Sequence, residues 1–147
     1  MKRLRRFVRL SSTEQSRLAR ALSVLAAIRF GLWLMPFPAV LRVLSKLQPP
    51  RSHLQVSEGL SVSEVEVVWA VKAVSRYIPN VTCLTQALAV QFLLARSGYA
   101  SRIQIGVAQD EESRFEAHAW VECRNAVVIG ASGVARFTPL LSVEGGR

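Results

Sequence analysis

TCLTQALAVQFLLARSGYASRIQIGVAQDEESRFEAHAWVECRNAVVI, residues 82–129, changes its hydrophobic period partway along. Up to Ser97, Leu84, Leu88, Gln91 and Ala95 mark one stripe and Ala87, Val90 and Leu94 an adjoining one. That spacing predicts a helix, and Gly98 stands where a helix C-terminal glycine belongs. The period then drops to two. Ile103, Ile105 and Val107 alternate with Arg102, Gln104 and Gly106, which predicts a strand. A polar turn, Asp110-Glu111-Glu112-Ser113, leads into a second alternating run. Phe115, Ala117, Ala119, Val121 and Cys123 share one face of it; Glu116, His118, Trp120 and Glu122 share the other. Arg124-Asn125 makes a tight turn into a third strand over 126–129. A helix followed by an antiparallel sheet defines an α+β arrangement.

Outward from this stretch, Val67, Val71, Val74 and Ile78 predict a helix over 61–77. Ser61 with Glu64, or Ser63 with Glu66, caps it, and Pro79-Asn80 ends it. Further back, Leu18, Leu22, Leu25 and Ile28 predict a helix over 11–31. Ser11 with Glu14, or Ser12 with Gln15, forms its capping box. Pro36 and Pro38 interrupt the pattern, and a short helix follows over 40–47. Pro49-Pro50-Arg51-Ser52-His53 is stiff and polar. The chain is therefore expected to comprise an N-terminal helical region (1–50), a linker (51–60) and a core (61–147).

Composition narrows the function classes. The chain has 147 residues, 50% of them hydrophobic, enough to build a core. The net charge is +9, and the first 20 residues hold Lys2, Arg3, Arg5, Arg6, Arg9, Arg17 and Arg20 against Glu14 alone. A basic end meets anionic lipid, nucleic acid or an acidic peptide, or merely solubilises the chain. No nucleic-acid-binding module is present, so nucleic acid is not an expected partner. The most apolar stretch, 21–41, is broken by Arg29, Pro36 and Pro38, which favours a buried or membrane-surface helix over a spanning one. The two cysteines make neither a disulfide framework nor a zinc pair, and the basic start runs into Ser11-Ser12-Thr13-Glu14-Gln15 rather than a signal-peptide core. A cytoplasmic location is expected, with peripheral membrane contact as a variant of it. With no glycine-rich phosphate loop and no metal-ligand cluster, no cofactor or metal is expected.

The chemistry centres on Cys83. Asn80-Val81-Thr82 can cap the helix that follows, and the positive end of a helix dipole favours thiolate over thiol. A cysteine there is either a nucleophile or a small buried core residue. His118 sits mid-strand between two alanines that leave room for close approach. Cys and His distant in sequence but meeting in space form a thiol nucleophile and its base. The imidazole needs an acceptor on its other nitrogen. With the turn centred on Arg124-Asn125, the residues opposite His118 are Gly130, Ala131 and Ser132, so a backbone carbonyl or Ser132 is available. Asp110 is a further candidate, with a solvated turn acid as its other reading. The Cys83 N–H, with Gln86 beside it, would supply an oxyanion hole. Trp120 either shapes a cleft or packs in the core. Cys123, on the opposite face from His118, reads as a core thiol, and His53 as solvated.

Thr82-Cys83-Leu84-Thr85-Gln86-Ala87-Leu88-Ala89, Leu93-Leu94-Ala95-Arg96-Ser97-Gly98, Ile105-Gly106-Val107 and Phe115-Glu116-Ala117-His118-Ala119-Trp120-Val121-Glu122 together resemble the transglutaminase-like leader peptidases of lasso-peptide biosynthesis. The likeness covers roughly residues 65–131, and Arg9 through Arg29 with Leu34-Met35-Pro36-Phe37 resembles the helical preface of the stand-alone members. The resemblance implies a transglutaminase-like, papain-like core in which a Cys–His–acid site removes the leader from a ribosomally made precursor peptide. It implies two partners: a separate leader-binding winged-helix protein and an ATP-dependent lasso cyclase. Members of the family often carry an acidic residue a dozen positions after the histidine, where this chain has Gly130. Two other readings stand beside hydrolysis: acyl transfer to an amine, as in a transglutaminase, and a catalytically weak scaffold that binds precursor and cyclase.

Overall fold

The computed structural model describes residues 11–54 and 62–146. The basic residues Lys2 to Arg9, the second half of the expected linker and the expected cap Ser61 lie outside them. Among the described residues there are four α-helices and one four-stranded antiparallel sheet.

The first helix, α1 (Ser12–Leu34), starts at the Ser11–Glu14 capping box. It runs three residues beyond its expected end and stops before Pro36. Helix α2 (Phe37–Leu47) begins three positions earlier than expected, because Pro38 falls in its first turn, where no intrahelical N–H is needed. Arg51–His53 forms a short 3₁₀ turn. Helix α3 (Val62–Ser75) ends before Pro79, and helix α4 (Cys83–Arg96) runs up to Gly98, whose φ of 87° suits glycine.

The strands are β1 (Arg102–Gln109), β2 (Phe115–Cys123), β3 (Ala126–Ile129) and β4 (Thr138–Glu144). Their spatial order is β3-β2-β1-β4. Arg124 and Asn125 both take positive φ, as a two-residue hairpin turn requires. Strand β4 pairs with β1 and was not legible in the sequence pattern. The helices cover one face of the sheet. Leu18, Leu25 and Ile28 of α1, Val71 and Val74 of α3, and Leu88 and Val90 of α4 join Ile103, Ala119, Val121 and Ile129 in one buried cluster. The apolar face expected for β2 is the one that meets the helices. Burial along it begins only at Ala119, because Phe115 and Ala117 run out beyond the helical layer.

Candidate active site

Helix α4 opens on the residue of interest. Thr82 is its N-cap, and its Oγ1 accepts from the Thr85 N–H at 3.2 Å. The cap leaves the N–H groups of Cys83 and Leu84 to point out of the helix end as orphan donors. Cys83, the first residue of the helix, is a free, half-buried thiol.

His118 arrives from the sheet. It pairs with Gly106 of β1, and its ring lies 5.1 Å from Phe137 and stacks on Trp120 at 6.1 Å. Its Nε2 lies 2.7 Å from the Gly130 carbonyl oxygen. A carbonyl only accepts, so Nε2 carries the proton and Nδ1 is the basic nitrogen of the neutral ring. The carbonyl is aimed by local geometry: the β2–β3 register shifts between Val121 and Glu122, the pairing finishes at Val121 with Ile129, and Gly130 then turns at φ 80°.

Beyond Ile129, β2 has no β3 partner. A cavity of about 360 Å³ opens there, lined by Lys72, Cys83, Gln86, His118, Ala119, Ile129, Gly130, Ala131 and Ser132. Cys83 and His118 thus border one space. Gln86 and Ser132 share it.

Two candidates sit elsewhere. Asp110 is held in its own turn, accepting from the backbone N–H groups of Glu112 and Arg114 and from Arg114 Nε. The bond from the Arg114 N–H, followed by that residue's guanidinium, holds the carboxyl below its ordinary value. Strand register puts Gln109 opposite Phe115, at the far end of β2 from Ala119–Cys123, and Asp110 is not among the residues around the cavity. Trp120 does not line the cavity either. It is buried behind His118, lies across Gly106 and donates from Nε1 to Glu122 at 3.0 Å. A Cβ on Gly106 would stand 2.9 Å from the indole, so a glycine there makes room for the ring that backs the histidine.

Lys72 was not expected. It stands on α3, whose exposed stripe Val62, Val65, Trp69, Lys72 is legible from helical spacing once the buried face is known. It brings a positive charge to a cavity whose lining holds no carboxylate. Among the described residues no three His, Cys, Asp or Glu side chains gather as metal ligands.

Cys123 and His53 fall where their sequence context put them. Cys123 is buried on the helix-facing side, donating to Glu64 Oε1 at 3.0 Å. His53 is exposed in the 3₁₀ turn.

A cysteine at a helix tip packed on an antiparallel sheet that supplies a histidine is the architecture of the thiol acyl-transfer folds. The model of the transglutaminase-like superfamily matches residues 22–142, and the chain belongs to that superfamily. Comparison with curated proteins and with solved structures finds no match.

Proposed function

We propose that the chain is a cysteine peptidase that removes the leader from a lasso-peptide precursor, with Cys83 as nucleophile and His118 as general base. The observation that carries the reading is the shared cavity of Cys83 and His118, with Nε2 of the ring engaged by a fixed acceptor. The thiol proton passes to Nδ1 of His118 as Sγ attacks the scissile carbonyl. The N–H of Cys83 stabilises the oxyanion, with Gln86 alongside. Collapse breaks the C–N bond, and the departing amine takes the proton from His118. Water, deprotonated by the same imidazole, then hydrolyses the thioester and restores the thiol. Superfamily membership supports thiol acyl chemistry; the leader-peptide substrate and the winged-helix and cyclase partners rest on the sequence resemblance.

The scaffold reading was motivated by the missing carboxylate. The Gly130 carbonyl weakens that motive, since it fixes the tautomer a base needs. The test is mass spectrometry of a lasso precursor incubated with the protein and a leader-binding partner. Two fragments whose masses sum to precursor plus water are expected, with none from Cys83→Ala or His118→Ala. Retained mass or an amine adduct would point to transfer instead, and unchanged maturation by Cys83→Ala would overturn the enzyme reading.

A further inference from the structure

Helix α1 is apolar on two sides. Its inner side supplies Leu18, Ala21, Leu25 and Ile28 to the core. The outer side of its second half carries Leu22, Ala26, Phe30, Trp33 and Leu34, all exposed, with Trp33 at 75% and Phe30 and Leu34 at 59%. The last fully buried residue of the helix is Ile28; beyond it Leu32 still packs on the core, partly buried, while Phe30, Trp33 and Leu34 stay exposed. Phe30 and Trp33 pair there with ring centroids 5.9 Å apart. An exposed apolar surface of this kind marks a contact site.

Its surroundings say what kind of contact. Residues 15–57 contain no Asp or Glu at all, while Arg29 in the helix before the turn and Arg42 in the helix after it bring positive charge. Arg42 lies on the exposed side of α2. An exposed surface of aromatic and aliphatic side chains with cations and no local carboxylate in its own segment matches the interface of an anionic bilayer: rings at headgroup depth, cations on phosphates. No helix among the described residues is long and apolar enough to cross a membrane.

Direction follows from the packing. The start of α1, at Arg17 and Arg20, lies by the end of α4, at Leu93 and Ser97. Arg96 of α4 also donates to the Leu47 carbonyl at the end of α2. The α1–α2 turn therefore lies at the other end of the helical layer, the end where α4 begins with Cys83. We propose that this turn is a membrane-docking element that seats Phe30, Trp33 and Leu34 in the interface of an anionic bilayer. It holds the Cys83 end of the molecule toward the surface.

The test is co-sedimentation of the full chain with phosphatidylcholine vesicles, with and without phosphatidylglycerol. Binding is expected only with phosphatidylglycerol and weakens as salt rises. A blue shift of tryptophan emission on binding is expected to survive Trp69→Phe and to vanish in Trp33→Phe. Combined Phe30→Ser, Trp33→Ser and Leu34→Ser is expected to weaken binding at least about tenfold with thermal unfolding unchanged. Arg29→Glu with Arg42→Glu, which leaves the apolar tip intact, is expected to lower affinity for the anionic vesicles. Cys83→Ala is expected to bind as wild type, which keeps this result independent of catalysis. Three outcomes would overturn the proposal: no vesicle binding, full binding by the serine variant, or a wild-type dimer that the serine variant turns into a monomer. The last would assign the face to a second copy.

Discussion

At Gly130, φ is 80°, and a Cβ would stand 2.8 Å from the Ala119 carbonyl oxygen and 2.9 Å from the Trp120 Cβ. The position is thus closed to any side chain here, and the backbone carbonyl meets His118 instead. A neutral acceptor contributes less than a charged one, about 1 kcal/mol against 1.5–3, so His118 keeps its orientation but gains less support for an imidazolium. Gly130→Ala is expected to cost about 1–3 kcal/mol through the positive φ and the backbone clash. It should also lose precursor cleavage beyond what unfolding explains, as thermal melts run beside the cleavage assay would reveal. Gly130→Asp is expected to fare no better despite restoring a carboxylate. Lys72 offers a second test at this scale. Its charge should draw anions to Cys83, so iodoacetate should alkylate Cys83 faster relative to iodoacetamide in wild type than in Lys72→Ala. Buried Cys123 stays silent in that assay. An unchanged ratio would mean that the lysine is not felt at the thiol.

Between elements, a buried polar clamp ties α3 to the sheet. Glu64, in the first turn of α3 and 1% exposed, pairs with Arg124 Nη2 at 3.2 Å and accepts from the Cys123 thiol. Arg124 belongs to the β2–β3 turn, and its guanidinium lies 5.8 Å from the centre of the Tyr99 ring. Among the described residues its Nε and Nη1 find no hydrogen-bond partner, so the Glu64 carboxylate is the counterion that makes its burial tolerable. Glu64→Gln is expected to destabilise by about 3–5 kcal/mol, and Glu64→Met with Arg124→Met to recover much of that loss. Denaturant titrations of the single and double variants decide it. Burial, then the hydrogen bond and charge of Glu64, push the Cys123 thiol from 9.0 up to about 12. The sign follows directly. Between these values the unfolded chain releases a proton that the folded chain retains, so stability falls as pH rises from 9.0 toward 12. Cys123→Ala is expected to flatten that alkaline slope in melts recorded across the range.

Over the whole molecule, α1 is an internal wall of the core. Leu18, Ala21, Leu25 and Ile28 share one cluster with Leu88, Val90 and Val121, and the superfamily match begins inside α1, at residue 22. A fragment starting at residue 62 is therefore expected to give no cooperative melt, whereas the full chain does; a sharp transition in the fragment would mark residues 61–147 as self-sufficient. What the sequence determined alone was whatever near neighbours control. The Ser11–Glu14 box, the Thr82 cap, Gly98 after α4 and the alternation over 115–123 are each read within a few residues, because capping bonds and side-chain periodicity act at that range. Strand β4 escaped such reading: Pro139 and the exposed neighbours Leu140 and Leu141 blur its alternation, and it exists as a strand through pairing with β1 more than thirty positions earlier. Only the tertiary structure chose Gly130's carbonyl over Ser132 and Asp110 as the partner of His118, since a backbone acceptor has no side-chain signature. Likewise, only packing revealed which way α3 turns Lys72 and that Phe30, Trp33 and Leu34 face outward, because a helix apolar on both sides does not say which side the core will take.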